Sequence, residues 1–308
     1  MGLLNEIDAE ILNLFYLYYE HQDVEIRKDI FKKITEKIPF GMNPYYFIEL
    51  IDDSLIRLQL RSQIGSELNI AKIIYDFKLY MEEPNNLMKG SYLVSRLSDS
   101  IFINYEDYKK KYFLLVEEFL KTYPDFIEID IEEQYSKIID FLYCYKGFQG
   151  NFDDYHNPEN SFITKVFETK KGIPVSLSVL TLLFYEVLKK IVESKYNKKL
   201  NFKIQPVNLP GHFLLLFSSS KLTTYFDPFH FGNKITYSDC YKHLLKLGYH
   251  QNPESYHNPP IPKIIARMLH NLYNIYSRRN ETKKEKTIES LLKILNNLVQ
   301  VEDKNNSI

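Results

Sequence analysis

The sequence predicts an α+β protein on three observations. Apolar residues recur at helical spacing through the first third, an uncharged apolar stretch in the middle leads into short strand-like runs, and two amphipathic runs close the chain. With 44% hydrophobic and 15% aromatic residues, a chain of 308 residues has ample apolar surface for one large or two modest packed domains. The expected divisions are a helical N-terminal region at 1–84, a core domain at 85–260 and a helical hairpin at 261–308.

From Asn5 to about Met81, Ile7, Ile11, Leu14 and Phe15, then Ile26, Ile30, Phe31 and Ile34, then Phe47, Leu50 and Ile51 mark the apolar faces of successive helices. Asn43 before Pro44 supplies a cap and a first-turn proline, and Pro39 with Gly41 separates the helices on either side. After a break at Glu82–Asn86, the segments Leu87–Leu97, Tyr105–Tyr123 and Ile131–Tyr145 read as three more helices. Gly, Asn, Asp and Pro then cluster without periodicity from Gly147 to Ser161, which predicts a long loop. Ser161 or Asn160 can cap a helix running to Lys171, with Gly172 as its stop. The uncharged run Gly172–Tyr185 is shorter than the roughly 18 apolar residues of a membrane span, so it reads as a buried core helix from about Ser176 to Ile191. Phe202–Val207 is the first strand of a sheet that continues through Asn208–Phe217 and Leu222–Phe229. A short strand and helix at Ile235–Gly248 and a proline-rich connector at Asn252–Pro262 follow. Ile264–Tyr276 and Ile288–Leu298 then form a helical hairpin, split by the charged segment Arg278–Lys286.

Thirty-nine basic against forty acidic residues leave a formal charge of −1, which argues against a dedicated nucleic-acid or anionic-membrane surface. The basic residues between Arg278 and Lys286 read as a solvated face. Met1–Asp8 has no secretory pattern, and Glu6 stands where acylation of Gly2 would require Ser or Thr, so a cytoplasmic protein is expected. Cys144 and Cys240 cannot build a disulfide framework. No cofactor is expected, because Gly147 and Gly150 neither follow a strand nor open a helix on a phosphate-loop pattern. No metal is expected either. Cys240, His243, His250 and His257 fit no compact zinc spacing, and Gly248 and Pro253 interrupt the helix that would align them.

The chemistry concentrates in His212 and Asp227, which lie inside apolar strand-like runs. If the turn Ser218–Lys221 is centred between Ser219 and Ser220, the two residues face each other across an antiparallel ladder, within about 4.5–5.5 Å at Cβ. An imidazole held by a carboxylate is the orienting half of a nucleophilic triad, and it is equally a buried hydrogen bond that pins a hairpin register. Ser176 heads the central helix, where unpaired N–H groups and the macrodipole favour a developing anion. It completes the residue types of a triad in the chain order nucleophile, histidine, carboxylate, the order of papain-like thiol enzymes. A serine gains less there than a thiol, because the helix field cannot ionise a hydroxyl without an aligned base. Simple N-capping is the competing role for Ser176. Ser178 is a weaker candidate, pointing about 200° away around the helix. Cys144 sits at a helix C-terminus, where the dipole opposes a thiolate, and His230 reads as a turn residue.

Six motifs in order carry a resemblance: Gly147–Asn151, Tyr155–Ser161, Lys171–Ser178 (KGIPVSLS), Asn208–Phe213 (NLPGHF), Phe226–Phe229 (FDPF) and Ala266–Leu272. Together the chain resembles the SirB-type transglutaminase-like family from about residue 85 to 300, a domain that also occurs in a eukaryotic F-box protein. The resemblance implies a papain-related core, with a central helix packed on an antiparallel sheet, behind a helical N-terminal region. In many relatives a tetratricopeptide-like tail follows, which this chain would shorten to one hairpin. By motif, His212 and Asp227 look like the histidine and aspartate of the family's triad, Ser176 falls near the place of the cysteine, and the cysteine is missing. The expected function is a core without thiol chemistry that binds or regulates a protein or peptide partner. The alternative is a serine-dependent amide hydrolase or acyl transferase using Ser176, His212 and Asp227.

Overall fold

A computed structural model describes residues 6–98 and 103–305, so the Gly2 acylation position lies outside the described residues. Asp23, Asn43 and Asp53 stand in extended conformation just ahead of helices and accept first-turn backbone N–H groups. These caps divide the N-terminal third into α1 (Glu6–Glu20), α2 (Val24–Lys37), α3 (Pro44–Glu49) and α4 (Ser54–Gln63), followed by α5 (Gly65–Tyr80). Ile11, Phe15, Ile34, Phe47, Ile51 and Leu68 form their common core. Ile7 and Ile26, expected on the buried faces, are 51% and 42% exposed, because they occupy first turns that extend past their packing partners.

Three further helices and a widened turn come next: α6 (Leu87–Ser95), α7 (Tyr105–Thr122) and α8 (Ile131–Ile139), the last continuing as a π-helical turn over Asp140–Tyr145. A buried charge cluster ties these layers together. Asp76 on α5 accepts Lys72 Nζ at 2.5 Å, Arg96 at 2.9 Å and the Gly41 N–H at 3.2 Å, and both carboxylate and lysine are fully buried. Burial lowers the Lys72 pKa and raises that of Asp76, and each partner's charge works against the shift.

The aperiodic 147–161 stretch is ordered by short pairings. β1 (Gln149–Gly150) runs parallel to β2 (Lys171–Gly172), and Asn157 caps a 3₁₀ turn at Pro158–Ser161. Neither Asn160 nor Ser161 caps α9 (Ile163–Thr169) as expected. Phe162 takes the cap position, and the Ile163 N–H is received instead by Ser95 Oγ from α6 at 3.0 Å. Lys170, at φ 63°, ends α9 in the left-handed region, so Gly172 is free to join β2 rather than stop the helix. The central helix α10 (Pro174–Tyr196) starts earlier than expected, with Pro174 pre-set for its first turn.

The sheet has the order β3 (Phe202–Val207), β4 (Leu214–Ser219), β5 (Thr223–Asp227), β6 (Asn233–Ile235), every pair antiparallel. Alternation along β4 decides what each face meets. Leu215 and Phe217 join the main core with α10, whereas Leu214 and Leu216 cluster with Cys240 and Leu244 of α11 (Tyr237–Lys246). The C-terminal α12 (Ile261–Arg278) and α13 (Thr282–Asn305) form a hairpin whose Met268, Leu272, Leu291 and Leu295 enter the main core. The expected charged separator is shorter than its composition implied, since Lys283–Lys286 already belong to α13, where their side chains can stay in water. The architecture is therefore α+β: a helical N-terminal region, an antiparallel sheet with helices, and a helical C-terminus. Among the described residues no helix is long and apolar enough to cross a membrane.

Candidate functional site

The sequence Leu209–Pro–Gly–His212 folds as a type II turn. Pro210 pre-sets its first central position, Gly211 takes φ +74° at the second, and the His212 N–H donates to Leu209 O at 3.1 Å. His243 on α11 donates to Pro210 O at 2.8 Å and braces the turn from behind. His212 thus enters the site from the turn, ahead of β4. The expected register is corrected here: Leu215 faces Phe226 and Ser218 faces Thr223, a shift of two residues that puts the hairpin turn at Ser220–Lys221. A shift of two keeps every side chain on its face, and His212 still reaches Asp227, with Nε2 donating to Oδ2 at 2.8 Å.

Asp227 closes β5 and caps a 3₁₀ turn, Pro228–His230, its Oδ1 accepting the Phe229 N–H at 2.9 Å. In a 3₁₀ turn residues three apart eclipse, which brings His230 Nδ1 within 2.7 Å of the same Asp227 Oδ2. His230 is the member that sequence reasoning missed, and the Asp-Pro-x-His spacing was the signal available for it. The Asp227 side chain is 4% exposed, that of His212 23% and that of His230 51%, so the cluster runs from the interior to solvent. Burial alone would raise the Asp227 pKa, but the hydrogen bonds and charges of His212 and His230 together outweigh it and hold the carboxyl below its ordinary value of 3.8. Because His212 Nε2 is committed to Asp227, Nδ1 is the ring nitrogen left for a reacting group.

Ser176 lies apart from this cluster in its bonding. It is the third residue of α10, fully buried. Its Oγ accepts the Ile173 N–H at 3.0 Å and donates to Asn160 O at 2.6 Å. The first bond is the third-position half of a capping box, and the second wires the helix start to the 147–161 loop. Asn160 in turn bonds Asn151 and the Asp154 carbonyl, and Gly150 is pressed so closely on Phe229 that an added Cβ would lie 2.6 Å from its carbonyl. Ser178 Oγ is buried without a hydrogen-bond partner among the described residues, whereas Thr181, one turn on, meets Tyr143 OH at 2.7 Å.

The remaining cysteine and histidines disperse. Cys240 is buried, its thiol pushed up to about 12 by burial, His257 pairs with Tyr225 OH at 2.9 Å, and Cys144 is exposed on the π-helical turn. Beside the cluster, where Phe152 contacts the His230 ring, Phe152, Tyr155 and Phe231 are 52%, 41% and 45% exposed. Phe152 packs edge-on against Phe229 and stacks with Phe231.

The profile of the Transglutaminase-like superfamily matches residues 114–270. A UPF0162 protein of Xylella fastidiosa is 24% identical over 60% of this chain and 66% of its own length. F-box only protein 21 of Mus musculus is 24% identical over 67% of this chain and 35% of its own, and the Homo sapiens protein of that name is 28% identical over 49% and 23%. The chain thus spans two thirds or less of these relatives. No solved structure matches the chain significantly.

Proposed function

The chain belongs to the transglutaminase-like superfamily, and from that premise we propose that its core has given up thiol chemistry and serves as a binding module for a protein or peptide. We take it as a SirB-type branch with a tetratricopeptide-like tail in the α12–α13 hairpin, and as a cytoplasmic protein with its domains divided at 1–84, 85–260 and 261–308. The observation that carries the reading is the bonding of Ser176: its buried hydroxyl is engaged by Ile173 and Asn160, and among the described residues no hydrogen bond joins it to His212. The aromatic rim formed by Phe152, Tyr155 and Phe231 offers apolar area and ring edges to a peptide. The F-box-named relatives point the same way, toward a protein partner.

An intact His212–Asp227 pair keeps a serine hydrolase or acyl transferase in view, with Ser176 attacking, His212 as base then acid, and Asp227 fixing the imidazole. A fluorophosphonate probe separates the two readings. The binding module leaves Ser176 unlabelled in folded protein, whereas labelling at Ser176 that disappears in His212→Gln overturns it.

A further inference from the structure

We infer that His212, Asp227 and His230 form a binding site for a first-row divalent metal ion of the zinc class. This inference goes beyond the binding-module reading and does not rest on it. It also concerns a different set of residues from the Cys240–His257 series, whose spacing argued against zinc. Two imidazole nitrogens, His212 Nε2 and His230 Nδ1, aim at one carboxylate oxygen from 2.8 and 2.7 Å, and the three potential ligand atoms lie within 4.8 Å of one another. Zinc bound at roughly 2.0–2.1 Å to such ligands spaces them by about 3.3 Å. The two imidazole–carboxylate separations therefore need to open by only about half an ångström, and the two imidazole nitrogens already lie within 4.8 Å of each other. On binding, each imidazole moves its proton to its other ring nitrogen and presents a lone pair in place of the N–H that now bonds Asp227.

Each ligand is held by something other than the ion. The Phe229 N–H fixes Asp227 Oδ1, which leaves Oδ2 directed at both rings. The Pro210–Gly211 turn, braced by His243, sets His212, and the 3₁₀ turn eclipses His230 over Asp227. Such supports lower the ordering cost of a metal site and orient its ligands. Two imidazoles and one carboxylate suit zinc or cobalt better than calcium or magnesium, which prefer all-oxygen shells. The half-exposed side of His230 gives the ion access and leaves coordination positions open to solvent, as three-ligand zinc sites do.

The test is titration of chelator-treated full-length protein with Zn²⁺ by calorimetry, and with Co²⁺ by its visible absorption. We expect one ion per chain, and in His230→Gln, whose ring is half exposed so that the fold is retained, affinity lower by more than about tenfold. His250→Gln, removing an exposed histidine outside the cluster, leaves binding unchanged. No binding at millimolar Zn²⁺, or binding equally tight in His230→Gln with an unchanged circular-dichroism spectrum, overturns the inference. Fluorophosphonate labelling of Ser176 bears on the other proposal alone.

Discussion

Asp76 and Asp227 are two buried carboxylates with the same complement of partners: two basic side chains and one backbone N–H each. They differ in what surrounds them. Asp76 is sealed with Lys72 and Arg96 where α5 meets α6 and the Gly41 turn, and its two basic partners offer hydrogens but no lone pair. Asp227 sits at a sheet corner with two histidines, one of them half in water, whose ring nitrogens can serve as donor or acceptor and can be handed to another ligand. The same hydrogen-bonding solution serves as a rivet in one place and as an adjustable site in the other, and the choice of arginine and lysine or histidine decides which.

The largest expected effect breaks the rivet. Asp76→Ala leaves Lys72 and Arg96 buried without a counter-charge and should cost about 3–5 kcal/mol in urea unfolding. A loss below about 1 kcal/mol would mean that the cluster is not a structural anchor. Asp227→Ala removes three acceptor bonds beside solvent, and about 2–3 kcal/mol is expected by the same measurement. Ser176→Ala strands the Ile173 N–H and the Asn160 carbonyl, for about 1–2 kcal/mol. His230→Gln, on the exposed side, should change stability by less than about 1 kcal/mol. The pH dependence sharpens the contrast. The Asp227 pKa is depressed in the folded state, so its contribution is complete above the ordinary carboxylate value and is lost as pH falls through the lower folded one. Thermal unfolding below about pH 4 should therefore drop more steeply in the wild type than in Asp227→Asn.

Much of this was legible where local chemistry decides. The Asn43–Pro44 helix start and the strand Phe202–Val207 fall where composition put them. What escaped was decided by distant or degenerate partners. The Ile163 N–H is capped by Ser95, 68 positions away. Ser218–Ser–Ser–Lys221 contains no Gly or Asn to mark its central pair, so the hairpin register differs by two residues from the expected one, while His212 meets Asp227 from the Pro210–Gly211 turn rather than from the ladder. His230 was hidden by the short 3₁₀ turn, too brief to leave a periodic pattern.

The bonding of Ser176 also bears on what a substitution at this position would disturb. A cysteine introduced at this position would start from the orientation the serine holds now, toward Asn160 and Ile173. Its longer, weakly bonding thiol would disturb the helix start. Because the same hydroxyl ties the helix start to the 147–161 loop, the change would be felt in both. Substitutions at position 176 and in the 147–161 loop are thereby expected to be energetically coupled rather than additive.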